Sequence, residues 1–264
     1  MHSGAEHGFP YSLSRWTDLP ASKWSWFKGQ VEQGWMMAIH PRTGVPTKWS
    51  LVPGDVHELQ FWTKDPRNLL RDSDLLAPYK VKIHVTVNGW GEVERGAPSL
   101  FHGAQLLRAT VWEFGVDQVS WRFSPIPVVA DVVTRFSRIL DAADSCGLKE
   151  VYVSFLQPND RLGDPRTPGE RLRLLEALGE ASKGIRVRLC NEDPLLRGQS
   201  LPNVTSGVCA PGGVGQEPCG CALAVDPFTI NESCSFGCLY CYSANKQIAR
   251  HRLNTTKKLP MVAV

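Results

Sequence analysis

Three cysteines lie close together toward the end of the sequence, in a C-x3-C-x2-C arrangement formed by Cys234, Cys238 and Cys241. Three thiolates on one tight loop can bind three irons of a cubane and leave the fourth iron open, whereas structural zinc and closed ferredoxin-type clusters take four protein ligands. Gly237 permits a sharp turn inside the motif, and Tyr240 directly precedes the third cysteine. The spacing therefore favours a [4Fe–4S] cluster with an open iron, with zinc or a closed cluster as the alternative.

A second group of cysteines precedes this motif. Its members are Cys190, Cys209, Cys219 and Cys221. Four thiols complete a closed site, and the single residue between the last two is tight for a zinc ribbon but acceptable for a cluster. We predict an auxiliary [4Fe–4S] cluster here, with structural zinc or free thiols as alternatives. Metal binding would order the Gly- and Pro-rich segment 191–233, which has too few apolar residues to order itself.

The remaining cysteine, Cys146, stands alone, and the first 145 residues contain none. The amino-terminal sequence lacks a basic region followed by an apolar run, so we expect no secretory signal and a reducing, cytoplasmic environment. Cysteines in such an environment are thiols or metal ligands more often than disulfides.

Helical and extended segments alternate along the body of the chain and would position these residues. The predicted strands are 56–62, 79–88, 116–123, 150–156 and 184–190, and the predicted helices are 20–33, 66–77, 99–114, 128–145 and 168–182. A β-α unit recurring about every 30 residues favours parallel strands joined by helical crossovers. We therefore predict an α/β fold with a partial (β/α) barrel, and a doubly wound sheet as the alternative. Segment 191–233 is expected to be coil apart from an extended stretch at 222–225.

In a barrel, functional residues gather where the strands end. The predicted strand ends carry Thr17, Asp18, Thr63, Lys64, Asp65, Asn88, Arg122, Gln157 and Cys190. Capping of the next helix is the alternative role for any one of these polar side chains.

The cysteine motif with its aromatic residue resembles the signature of the radical S-adenosylmethionine (SAM) superfamily. Segments SLSRWTDLP (12–20) and ELQFWTKDPRNLLRDSDLL (58–76) look like parts of spore photoproduct lyase and its relatives, and VKIHVTVN and VSWRFSPI follow in the same order. In that superfamily the motif follows the first strand, whereas here it lies near the end. The chain thus resembles a circularly permuted radical SAM barrel and an uncharacterised bacterial family with the same two ends. Its parts would be the barrel body (1–190), the cysteine-rich segment (191–221) and the permuted first strand, cluster loop and helix (222–264).

The resemblance implies a role for each matching residue. Cys234, Cys238 and Cys241 would bind a cluster whose open iron chelates SAM, and reduction would release a 5′-deoxyadenosyl radical. Tyr240 would lie beside the adenine, and Ser14, Thr17 and Asp18 beside the methionine or ribose. Lys64, His84, Thr86, Asn88 and Arg122 would lie at the barrel mouth, with Lys64, Asn88 and Arg122 as the candidate catalytic residues. Arg122 would bind the SAM carboxylate or a substrate phosphate, with an internal salt bridge as the alternative. A flavodoxin- or ferredoxin-type electron donor is implied.

The composition leaves the substrate open. The 29 Lys and Arg residues against 26 Asp and Glu give a net charge of +3, which neither requires nor excludes nucleic acid. No apolar stretch approaches the ~20 residues of a membrane span. The likeness to spore photoproduct lyase favours a nucleic-acid base as the substrate, a DNA pyrimidine first. The alternatives are a radical SAM enzyme that acts on a small molecule or a peptide, and a non-catalytic iron–sulfur or zinc protein. Basic residues after the motif would contact phosphates or form a solvated helix face: Lys246, Arg250, Arg252, Lys257 and Lys258. We expect a monomer.

Overall fold

The computed structural model describes residues 10–13, 17–39, 45–156, 162, 164–190, 193–207, 215–216, 221–222 and 234–241. The strands are β1 (Tyr11–Ser12), β2 (Trp35–Ile39), β3 (Pro46–Ser50), β4 (Leu59–Thr63), β5 (Val81–Thr86), β6 (Val119–Ile126), β7 (Glu150–Phe155), β8 (Arg186–Cys190), β9 (Val204–Gly207), β10 (Gly215–Gln216) and β11 (Cys221–Ala222). The helices are α1 (Leu19–Ser22), α2 (Trp24–Glu32), α3 (Arg67–Arg71), α4 (Leu100–Phe114), α5 (Val132–Ser145), α6 (Pro168–Ala181) and α7 (Asp193–Leu196), with short 3-10 turns at Pro53–Asp55, Ser73–Leu75 and Gly91–Glu94.

Seven strands form one parallel sheet in the order β1-β4-β5-β6-β7-β8-β9. The order follows the chain, with the antiparallel β2–β3 hairpin inserted after the first strand. The predicted α/β class with a parallel sheet is therefore confirmed. A doubly wound sheet reverses its strand order at a switch point, and the seven described strands do not. Within the described part of the chain β1 and β9 are edge strands, so closure into a barrel is not seen.

The sheet has one apolar and one polar face because apolar and polar residues alternate along its strands. On β5, Ile83 and Val85 are completely buried, while Thr86 is half-buried. Helix α5 covers the apolar face, where Trp121 stacks on Phe136 with ring centroids 5.2 Å apart. The polar side chains are thereby left on the opposite face of the sheet.

Several elements differ from the sequence predictions. The predicted helix 20–33 is two helices, since Lys23 leaves the helical backbone region with φ −136°. Strand β6 continues to Ile126 beyond the predicted end, because the register shifts between Phe123 and Ile126 and accommodates Pro125, which cannot donate a ladder hydrogen bond. Arg122 therefore lies inside a strand rather than at its end.

The segment predicted as coil after residue 190 contributes helix α7 and strand β9, and β9 is the seventh strand of the sheet. Its four residues are too few to show a clear alternation in the sequence. Of the stretch 222–225, predicted as the permuted first strand, only Ala222 is described, and together with Cys221 it pairs antiparallel with Gly215–Gln216. The rest of that stretch lies outside the described residues, so the permutation stays a prediction. None of the helices that the structure describes is long and apolar enough to cross a bilayer.

Candidate functional site

Residues 234–241, here called the cysteine loop, dock onto the turn that follows β5. The Gly96 N–H donates to the Phe236 carbonyl at 3.0 Å, and the Leu239 N–H donates to the Val93 carbonyl at 2.9 Å. The approach is close, because a Cβ on Gly96 would lie 2.7 Å from the Phe236 Cα. Gly237 turns the loop with φ +60°, a left-handed backbone conformation that favours glycine. The loop is thus fixed beside the carboxyl end of a central strand.

The cysteine loop also contacts the segment after β1. The Ser235 N–H donates to the Ser22 Oγ at 3.2 Å, and the two hydroxyls lie 2.9 Å apart. Phe236 and Tyr240 are buried, at 5% and 6% exposure. The loop therefore bridges the carboxyl ends of β1 and β5, although 213 residues separate Ser22 from Ser235.

Glu94 is the centre of the site. Its carboxylate accepts hydrogen bonds from Lys64 Nζ at 2.7 Å, from Asn88 Nδ2 at 2.9 Å and from the Tyr240 hydroxyl. The side chain of Glu94 is only 3% exposed. One buried carboxylate thus joins the residue after β4, the residues after β5 and the cysteine loop. Such a network fixes positions because each buried polar partner lost would leave an unsatisfied group.

Asp18 links the ends of two neighbouring strands. It accepts from the Lys64 backbone N–H at 2.7 Å and caps α1 by accepting from the Ala21 N–H at 3.2 Å. Burial raises the pKa of Asp18 to about 6, although these hydrogen bonds oppose the rise. Neighbouring Thr17 is 3% exposed, and its Oγ1 makes no hydrogen bond among the residues that the structure describes. A buried hydroxyl without a described hydrogen-bond partner is a candidate contact for a bound ligand.

The thiols of the cysteine loop lie among these groups. Burial raises the pKa of Cys238 to about 11, and the nearby Lys64 ammonium opposes that rise. Burial likewise raises the pKa of Cys234, which lies against Asp18. Burial alone would lower the pKa of Lys64, but Glu94 and then Cys238 raise it above its usual value. Lys64 is therefore a cation near Cys238, suited to stabilising its thiolate when a metal binds.

Asn88 joins the end of β5 to β6. Besides its bond to Glu94, its Nδ2 donates to the Ser124 carbonyl at 2.9 Å, and its Oδ1 accepts from the Ser124 N–H at 2.8 Å. Because the amide is occupied on both sides by protein groups, the geometry assigns it a positioning role at the site. These contacts do not test the predicted catalytic role of Asn88, which stays a prediction.

The other predicted residues lie apart from the cysteine loop or outside the described part. Arg122 and Thr86 are opposite each other on the polar face of the sheet. His84 is fully buried on that face and stacks on Trp62, with ring centroids 5.1 Å apart. Ser14, Cys209 and Cys219 lie outside the described residues, as does the side chain of Cys221. Cys190, at the end of β8, is 6% exposed. Because the side chains of the other three cysteines are not described, the second four-cysteine site stays a prediction.

Among the residues that the structure describes, no three or more His, Cys, Asp or Glu side chains are placed to hold one metal ion together. In a cubane each cysteine binds a different iron, so the cluster prediction does not require them to converge on one ion. Sequence reasoning missed Glu94. Nothing in the turn GWGEVER distinguishes it from Glu92, whose side chain is 90% exposed.

A protein-family model described as a domain of unknown function (DUF1848) matches residues 11–243. The chain belongs to this family. A search of curated proteins finds no significant match. Among solved structures, the chain is similar to a variant of Rhizobium etli pyruvate carboxylase, with 10% identity and a TM-score of 0.30 over 82% of this chain. The DUF1848 chain covers 25% of that structure, and so low a score carries no argument about fold or function.

Proposed function

We propose that this DUF1848 chain is a radical SAM enzyme whose [4Fe–4S] cluster is bound by Cys234, Cys238 and Cys241. One observation carries the proposal: the cysteine loop docks on Val93 and Gly96 at the carboxyl-terminal edge of a parallel sheet, with Cys234 near Asp18 and Cys238 near Lys64. Ligands of α/β sheets bind at this edge. The strand order, which follows the chain, supports the finer proposal of a partial barrel completed by the residues before the loop.

The residues present fit such a cofactor. The three thiols are half-buried, and Lys64 supplies positive charge beside Cys238. The buried Thr17 hydroxyl lacks a described partner and adjoins Asp18, where the methionine or ribose of SAM is expected. A cluster with an open iron, when bound, supplies one-electron reductive cleavage of SAM. The chain itself positions the loop through Glu94 and shields it by the burial of Phe236 and Tyr240.

The metal content tests the proposal. After anaerobic reconstitution, the wild-type chain is expected to bind at least about four irons with matching sulfide, and addition of SAM is expected to shift the EPR signal of the reduced cluster. Cys238→Ala should lose that SAM-dependent shift, whereas Cys146→Ala should retain it. Zinc in place of iron, or an unchanged shift in Cys238→Ala, would contradict the proposal and favour a structural metal protein.

We further propose a nucleic-acid base, a DNA pyrimidine first, as the substrate. The support is the likeness of segments 12–20 and 58–76 to spore photoproduct lyase. Oligonucleotide binding across a salt series tests it, because phosphate contacts make affinity fall steeply with salt. Absence of binding at low salt would refute the nucleic-acid substrate and favour a small molecule or a peptide.

A further inference from the structure

Polar side chains form one row across the middle of the parallel sheet. Thr86 lies opposite Arg122, Arg122 opposite Tyr152, and Tyr152 opposite Arg188. Side chains paired in this way project from the same face of a sheet, since successive residues alternate between faces. The row therefore places a tyrosine between two arginines, on the face opposite the one that α5 covers.

The row is polar, and it is accessible on either side of Tyr152, which is itself buried at 8% exposure. Thr86, Arg122 and Arg188 are all partly exposed, whereas their neighbours Val85, Trp121 and Val187, which project to the opposite face, are buried. Partial exposure of three long or polar side chains at the centre of a seven-stranded sheet is unusual for a packed face, since parallel sheets are commonly covered on both sides.

Arg188 is held in place by Glu150 and still has one unused donor, its Nε. One of its terminal nitrogens donates to the Glu150 carboxylate, which also lies 3.3 Å from an Arg186 nitrogen and 3.4 Å from the Tyr152 hydroxyl. Its Nε is buried and has no hydrogen-bond partner among the described residues. A buried charged donor without a partner is costly, so this N–H is suited to a ligand oxygen.

We propose that the row Arg122–Tyr152–Arg188 binds an oxyanion of the substrate, a phosphate or a carboxylate. The two arginine strands are separated by one strand, so their Cα atoms lie about 10 Å apart and both long side chains can reach an anion over Tyr152. Guanidinium groups bind such anions through two parallel hydrogen bonds. The inference rests on the proposed function in taking this face as the substrate side of the enzyme.

Anion binding tests the proposal without the radical reaction. Calorimetric titrations of the reconstituted full chain at low salt would use inorganic phosphate in one arm and succinate in the other. Arg188→Met and Arg122→Met are each expected to weaken binding about tenfold. Arg138→Met, an exposed arginine on α5, is the matched control and should bind as the wild type does. Tighter phosphate binding assigns a phosphorylated substrate, and tighter succinate binding a carboxylated one.

A conservative variant separates binding from folding. Arg188→Lys keeps a cation within reach of the Glu150 carboxylate but removes the Nε donor, so it should unfold at nearly the wild-type temperature and still bind the anion several-fold more weakly. Equal affinity in the wild type, Arg188→Lys and Arg122→Met, or no binding of either anion, would overturn the proposal. Cys238→Ala should keep anion binding, so failure of the cluster proposal would be recognised separately.

Discussion

Replacing Glu94 by glutamine keeps the shape of the side chain and removes its charge. All three described bonds end on Oε1 of Glu94, and an amide oxygen in its place can still accept from Asn88, Tyr240 and Lys64. The bond from Lys64 loses its ionic partner, and the ammonium stays at a position where its side chain is only 14% exposed. The substitution therefore isolates the charge of the Lys64–Glu94 pair, whose carboxylate also accepts from Tyr240 of the cysteine loop.

Removal of one partner of a buried ion pair costs about 3–5 kcal/mol. Lys64 keeps some contact with solvent, so we expect the lower end, about 3 kcal/mol. In a chain of this size 1 kcal/mol moves the unfolding temperature by about 2–4 °C, so Glu94→Gln should lower it by about 6–12 °C. The chain should stay folded, because domains commonly have about 5–15 kcal/mol of stability.

Thermal unfolding followed by circular dichroism measures this effect in the metal-free protein. Glu92→Gln is the matched control, since Glu92 lies in the same turn with its side chain 90% exposed and pairs with Arg95 at 3.3 Å. Such a surface pair is worth about 0–1 kcal/mol. The double variant Lys64→Met/Glu94→Gln should recover part of the loss, because no unpaired charge remains. Equal effects of Glu94→Gln and Glu92→Gln, or additive losses in the double variant, would refute the reasoning.

Two further predictions concern the loop contact and the response to acid. Gly96→Ala places a methyl group 2.7 Å from the backbone of the cysteine loop and should lower both iron uptake and unfolding temperature. The control Gly54→Ala meets nothing within 4 Å and should change neither. Iron analysis and thermal unfolding of both variants check this prediction. Hydrogen bonds from Arg71 and then Trp24 lower the pKa of Asp72, so its contribution to stability is complete above the ordinary carboxyl pKa of about 4 and is lost as pH falls below it. Urea unfolding from pH 7 to pH 2 should show a smaller acid loss in Asp72→Asn, and identical acid limbs would contradict the assignment.

The sequence predicted the regular part of this fold well because the signals there are local. Alternation in Val81–Thr86 and helical spacing in Val132–Ser145 each arise within one element. The β2–β3 hairpin and β9 were missed, since short strands gain their order from neighbouring strands rather than from their own pattern.

The candidate site could be predicted only in part. The spacing of the cysteines and the polar residues after β4 and β5 can be recognised along the chain. Glu94 could not be recognised, because its three partners come from residues 6, 30 and 146 positions away. Its burial follows from the docking of the cysteine loop, which no local pattern records. Arg122 was predicted at a strand end because the predicted strand 116–123 stops one residue after it, whereas β6 continues through Pro125 to Ile126.

The release of 5′-deoxyadenosine tests the central claim most directly. The reconstituted chain with SAM and dithionite, analysed by liquid chromatography and mass spectrometry, is expected to release 5′-deoxyadenosine, and Cys146→Ala should release the same amount. Single alanine substitutions of Cys234, Cys238 and Cys241 should each abolish release. Release that persists in any of these three variants, or its absence from a wild-type protein that carries a full cluster, would contradict the account.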